Sequence, residues 1–208
     1  SALGRDVLAF IDAPGVEHPV LVGHDWGARA AANACGLRPG IASHLCMLST
    51  GYGTNTPDQP LTLPQTRNYW YHWYMATPRG QRTVREHGHA FARFMWDTWS
   101  PPDWYDPQEF EETAKAFHQP DWGEVTLHSY RHRWGNAPAD PMYEKDEAAL
   151  QPAPVLDVPT LVLHGAADAV NHPDTSAGKE RFFRGRYERQ LLEGVGHGLD
   201  GLAGLEAA

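Results

Sequence analysis

Leu21-Val22-Gly23-His24-Asp25-Trp26-Gly27-Ala28-Arg29-Ala30 reads as the end of a strand, a sharp turn and the start of a helix. The apolar run from Pro19 to Val22 has the character of a buried strand. Ala28-Arg29-Ala30-Ala31-Ala32-Asn33-Ala34-Cys35 is rich in strong helix formers. Gly23 and Gly27 bracket Asp25 two residues away on each side, which is the G-x-nucleophile-x-G elbow with Asp at its centre. Such a turn forces its central residue into a strained backbone and crowds the positions two before and two after it, which glycine relieves. The helix start that follows favours negative charge on the residue and on an oxyanion nearby. A carboxylate is already ionised at neutral pH and needs no base to activate it. It attacks ester and amide carbonyls poorly. It suits displacement at a saturated carbon that bears a halide or an epoxide oxygen. The plainer alternative is a Gly-bounded turn whose Asp caps the helix.

Before the elbow, Ala2 to Ala13 has the spacing of an amphipathic helix, with Leu3, Val7, Leu8 and Ile11 on one face. Pro14-Gly15 ends it. The elbow helix should stop near Gly36 and Pro39, and His44 to Ser49 reads as a second buried strand. Strand, helix and strand at this spacing predict a parallel βαβ unit. After Pro159, Thr160 to His164 is a third strand, running into Gly165-Ala166-Ala167-Asp168. A helix is expected from Asp174 to Phe183. A last strand from Glu188 to Leu192 ends in Gly194-Val195-Gly196-His197-Gly198.

Between these core segments the character changes. Seven of the eight tryptophans fall between Gly51 and about residue 150. Helical patches are expected at Gln65 to Met75, Arg82 to Trp96, Pro107 to Phe117 and Glu124 to Trp134. The organisation is therefore core over 1–50, a helical aromatic insertion over 51–150, and core again over 151–208. Most of the aromatics should pack the insertion against the core. Some can line an apolar pocket with polar tips.

The chain has 208 residues, 41% of them hydrophobic, and a formal charge of −9, which argues against a nucleic-acid surface. No run approaches membrane length, and no signal peptide is visible, so a cytoplasmic protein is expected. Cys35 and Cys46 are expected as core thiols rather than a disulfide. Among the 12 histidines, His87 with His89 and His128 with His132 are spaced as metal pairs. With no carboxylate or thiolate at ligand spacing they read as solvated side chains, and neither a metal nor a cofactor is expected.

Asp25 after one strand, Asp168 after a later one and His197 after the last follow the order nucleophile, acid, base. With the Gly-His-Asp-Trp-Gly elbow, the chain from residue 1 to about 198 resembles the α/β-hydrolases with an aspartate nucleophile: epoxide hydrolases, haloalkane dehalogenases and haloacetate dehalogenases. The resemblance implies a parallel sheet with a helical cap, truncated at its N-terminal side. The family's early strands and its His-Gly-x-Pro loop precede the region where this chain starts. It implies Asp25 as nucleophile, Asp168 as acid, His197 as base and the Trp26 N–H as an oxyanion donor. The cap should supply groups that receive the leaving atom. Tyr130 matches the later cap tyrosine. In the first cap helix Tyr71 in one register makes an epoxide site, and His72-Trp73 in the next makes a halide site. Arg29 matches one of two carboxylate-holding arginines of haloacetate dehalogenases, and the other position here is Trp26. Gly198 to Gly204 departs from the family's closing helix.

The implied activity is epoxide opening on a small apolar substrate, with dehalogenation as the alternative. The rival from another class is a catalytically silent fragment or binding module. The strand at Val20 to Gly23 should be central, so its second edge calls for the preceding segment or for another copy of the chain.

Overall fold

The structure, a computed structural model, describes residues 1–53 and 58–198. It forms two compact units. One comprises Ser1–Thr54, Ala139–Ala166 and Pro173–Glu193, and the other Asn55–Pro138, Ala167–His172 and Gly194–Ala208.

The first unit is built on a parallel sheet of β1 (Val20–His24), β2 (His44–Leu48), β3 (Thr160–Gly165) and β4 (Tyr187–Leu192), in that order. Its register pairs Val22 with Cys46, Met47 with Val162 and Leu163 with Gln190. Parallel strands need crossovers, and α2 (Trp26–Leu37) supplies the one between β1 and β2. The alanines of α2 let it lie close to the sheet. Ala28, Ala31, Ala32 and Cys35 share the core with Leu45, Met47, Leu156 and Val162. α1 (Ala2–Asp12) buries Leu8 and Ile11, as its apolar spacing predicts. Both cysteines are free, and burial pushes the Cys35 thiol up to about 11. It therefore stays a protonated core side chain at neutral pH.

Among the described residues β1 is an end strand of this sheet, with Val20 and Val22 59% and 64% exposed. The helix expected over 174–183 is not there. Two 3-10 turns, Pro173–Ser176 and Glu180–Phe182, stand on either side of Gly178, whose φ of +64° stops a right-handed helix. Instead the Ser176 hydroxyl accepts from Arg189 Nε at 2.8 Å and meets His164 Nδ1 at 2.8 Å. A short helix at Glu144–Ala149 was not anticipated, being only 6 residues long.

The second unit carries α3 (Leu63–Asn68), α4 (Trp70–Met75), α5 (Pro78–Trp99), α6 (Pro107–Ala114) and α7 (Trp122–Arg133). The single helix expected over 65–75 divides at Tyr69, whose ψ of 16° lies off the helical value. α5 begins earlier than its apolar spacing suggests. Thr77 caps it by accepting from the Gly80 N–H at 3.1 Å, and Pro78 takes the first turn, where no N–H is needed. It bends at His87, with φ −136° and ψ 33°. Tyr69, Tyr71, Met75, Val84, Met95, Leu127 and Val170 form the core of this unit. The stretch 199–204, where the sequence departs from the family's closing helix, lies outside the described residues. No helix among the described residues is long and apolar enough to cross a membrane.

The two elbow glycines are not equivalent. A Cβ on Gly23 would stand 2.4 Å from the Gly27 carbonyl oxygen, whereas one on Gly27 meets nothing within 4 Å among the described residues. Gly23→Ala is therefore expected to cost about 1–3 kcal/mol through overpacking. Gly27→Ala, inside a helix, should be neutral or stabilising by up to about 1 kcal/mol. Thermal denaturation of the two variants checks this, and equal losses would contradict it.

Candidate active site

In the first unit the turn after β1 puts Asp25 at φ 45° and ψ −108°, a region that non-glycine residues rarely enter. That conformation costs on the order of 1–3 kcal/mol and persists only where the surroundings enforce it. Here they do: the Asp25 N–H donates to the Leu48 carbonyl at 3.1 Å, and the Asp25 carbonyl accepts from the Arg29 N–H at 3.1 Å. The Asp25 side chain makes no capping hydrogen bond to α2, so the helix-cap alternative does not hold. Trp26 is the first residue of α2, in the turn whose N–H groups have no carbonyl one turn back. Arg29, one turn into α2, is only 5% exposed, so its guanidinium is not a solvated surface charge. Burial, with the charges of Arg181 and Arg29, holds the Lys179 ammonium below its ordinary pKa, so Arg29 lies near the segment after β3.

In the second unit Asp168 and His197 meet. His197 Nδ1 stands 2.9 Å from Asp168 Oδ2, and the residues are 4% and 5% exposed. The other carboxylate oxygen, Oδ1, accepts from the N–H groups of Val170 and Asn171 at 2.7 and 2.9 Å. An ionised carboxylate only accepts, so the proton of neutral His197 belongs on Nδ1, which leaves Nε2 with a lone pair. The end of α5 pins both loops. The Trp99 carbonyl accepts from the Ala169 and His197 N–H groups, each at 3.2 Å, and the Ser100 hydroxyl accepts from the Gly198 N–H at 2.9 Å. These close approaches explain two glycines flanking the histidine. A Cβ on Gly196 would stand 2.4 Å from Ser100 Oγ, and one on Gly198 would stand 2.0 Å from the Trp104 ring.

An aromatic chain runs from this pair through the same unit. The Trp99 ring meets His197 edge to face at 5.5 Å and Tyr71 at 5.4 Å. Tyr71 meets Tyr130 at 5.5 Å, and Tyr130 meets His72 at 4.6 Å. Trp134 Nε1 donates to His72 Nδ1 at 3.0 Å. Trp73 is turned aside: it is 36% exposed, and its indole N–H donates to the Thr66 carbonyl at 3.2 Å. Tyr71, His72 and Tyr130 thus share one cluster with His197, and Trp73 sits at its rim against Trp134.

Trp99 and Ser100 were not singled out from the sequence. They contribute a backbone carbonyl, a hydroxyl and the Trp99 ring, set in place by packing that no residue spacing announces. His89 contacts Glu111 Oε2 at 3.0 Å, and the His128 and His132 rings stack at 5.9 Å. Among the described residues no three His, Cys, Asp or Glu side chains are grouped to hold a metal.

A sequence profile described as alpha/beta hydrolase fold matches residues 1–199. Among solved structures, a protein of Klebsiella pneumoniae subsp. pneumoniae, provisionally named an epoxide hydrolase, is 33% identical with a TM-score of 0.89. The match covers 99% of this chain and 70% of that one. Epoxide hydrolase A of Mycobacterium thermoresistibile is 22% identical with a TM-score of 0.69, covering 93% of this chain and 68% of its own. A loop variant of a haloalkane dehalogenase from Bradyrhizobium elkanii is 18% identical with a TM-score of 0.70, covering 93% and 65%. The last two are similar in fold alone. No curated protein matches the chain. The profile match over nearly the whole chain and the close Klebsiella structure agree with the elbow and the acid–histidine pair: the chain belongs to the α/β-hydrolase fold family.

Proposed function

We propose that this hydrolase opens epoxides by attack of Asp25 on carbon. An Asp25 oxygen bonds to an epoxide carbon, the C–O bond of the ring breaks, and the ring oxygen leaves with the electron pair. Tyr71 and Tyr130 donate hydrogen bonds to that oxygen, and one of them supplies its proton. His197, held in the Nδ1–H form by Asp168, then takes a proton from water through Nε2. The hydroxide adds to the carbonyl carbon of the Asp25 ester, with the Trp26 N–H stabilising the oxyanion. Collapse breaks the bond between the carbonyl carbon and the alkyl oxygen and releases the diol, whose oxygen takes the proton from His197. The Asp25 carboxyl that remains gives its proton back to the tyrosinate, which restores both the carboxylate and the tyrosine. The substrate class that fits the aromatic surroundings is small and apolar.

The observation that carries the reading is the company of Tyr71. It lies one ring contact from Tyr130 and one from Trp99, which in turn touches His197. A halide site in the neighbouring register would need the Trp73 N–H, and that donor is engaged by Thr66. The Klebsiella relative, with its provisional name, agrees with the epoxide class.

Tyr71→Phe and Tyr130→Phe are each expected to lower kcat for epoxides about 10²-fold to 10³-fold, the usual effect of removing one donor to a developing oxyanion. Trp73→Phe should leave it near the parent value. Steady-state kinetics over a panel of terminal epoxides and haloalkanes makes the test. Unchanged epoxide turnover in both tyrosine variants would remove the electrophile this reading depends on.

A further inference from the structure

The acid turn 168–172 is held by a side chain that lies 105 residues before Val170 in the chain. Gln65, in α3, is 2% exposed. Its carboxamide uses both ends on this turn: Nε2 donates to the Val170 carbonyl at 2.8 Å, and Oε1 accepts from the His172 N–H at 2.7 Å. This is the pairing that a neighbouring strand would make with residues 170 and 172, supplied by one amide. Between those two anchor points lie the Val170 and Asn171 N–H groups that donate to Asp168 Oδ1. A second tie lies beside it. The Tyr69 hydroxyl donates to Asn171 Oδ1 at 2.7 Å, and Arg133 Nη2 donates to that hydroxyl at 3.2 Å. With Oδ1 occupied in this way, Oδ2 is the oxygen presented to His197.

We propose that Gln65 is a positioning residue for the Asp168–His197 pair, and that it acts on one half of the reaction only. The inference rests on the proposed function. Attack by Asp25 needs neither Asp168 nor His197 as a base. Hydrolysis of the ester needs His197 in the Nδ1–H form with Nε2 aimed at water. Loosening the 170–172 backbone lets Asp168 Oδ1 lose its two donors and Oδ2 drift from His197. The defect then appears in ester hydrolysis and not in alkylation. Partners that orient a catalytic group through a second residue commonly contribute about 10-fold to 100-fold to activity.

Gln65→Met keeps the volume and removes both hydrogen bonds. Rapid quench with a terminal epoxide, followed by intact-protein mass, measures both half-reactions. The expected result is an alkylation rate within about 2-fold of the parent and a hydrolysis rate about 10-fold to 100-fold lower, with the alkyl-enzyme building up in steady state. Equal loss in both rates, or no loss in hydrolysis, overturns the proposal. If Gln65→Met does not fold, Gln65→Glu decides. A protonated carboxyl still accepts from the His172 N–H and donates to the Val170 carbonyl, whereas the ionised form cannot donate. Burial against a carbonyl raises this carboxyl's pKa above its unfolded value, so its support is present at low pH and is lost as pH rises through the folded pKa. Hydrolysis in Gln65→Glu should therefore fall away towards high pH, where the parent holds its rate. A profile parallel to the parent's overturns the proposal. The His197→Gln variant separates the two failures. If it gathers no alkyl-enzyme from any epoxide, the proposed function itself is at fault. If it does, and the Gln65 variants hydrolyse as the parent does, only the role of Gln65 falls.

Discussion

Asp25→Gly is expected to abolish epoxide turnover, by at least about 10⁴-fold, with no fall in thermal stability. The two halves of this result have separate causes. Activity goes because no other group in the proposed mechanism attacks carbon, and loss of a nucleophile is not made good by the residues around it. Stability holds because Asp25 stands at φ 45° and ψ −108°, which a side chain makes costly and glycine tolerates. The strain relieved, on the order of 1–3 kcal/mol, matches or exceeds the added chain entropy of glycine, about 0.5–1 kcal/mol. Initial rates and a melting curve on the same preparation check both halves. A variant that keeps its turnover would show Asp25 to be scaffold. One that loses both activity and several degrees of Tm would show that the Asp25 side chain holds the turn together.

The strained turn at Asp25 was partly visible in the sequence. Gly23, Asp25 and Gly27 are neighbours in the chain, and a strand-to-helix turn constrains neighbours strongly. The strands were legible for the same reason. Val20 to His24, His44 to Leu48 and Thr160 to Gly165 are short apolar runs bounded by Pro, Gly or Ser, and they pair in parallel as their spacing requires. The pairing of Asp168 with His197 was legible because each follows a strand, His197 in a turn flanked by Gly194, Gly196 and Gly198.

Other features depend on long-range contacts. Gln65 reaches residues 170 and 172, and Tyr69 reaches Asn171, across about half the chain. Nothing local to Gln65 distinguishes it from a solvated glutamine on a helix. The register of Tyr71-His72-Trp73 was open because successive residues on a helix point about 100° apart and all three are aromatic rings. The break at Tyr69 and the hydrogen bond from Trp73 to Thr66 turn Trp73 to the rim of the cluster, and each arises only once the helices pack. The segment 173–183 misled for a different reason. Its composition suits a helix, but Gly178 takes a positive φ and the Ser176 hydroxyl is drawn to Arg189 and His164.

The most direct test of the account is the intact mass of His197→Gln after exposure to a terminal epoxide. Glutamine cannot take a proton from water as histidine does, while Asp25 keeps its full ability to attack, so the first half-reaction proceeds and the second stops. Turnover should fall by at least about 10⁴-fold, and the protein should gain the mass of the whole epoxide, because ring opening expels no atom. Digestion should place that added mass on the peptide that contains Asp25. A haloalkane would leave an adduct lighter than the reagent by its halide. Attack by Asp25 on an epoxide carbon predicts the whole-epoxide adduct on Asp25. A halide-deficient adduct from haloalkanes, with none from epoxides, would contradict the substrate class. No adduct from either over a broad panel would contradict the aspartate mechanism itself.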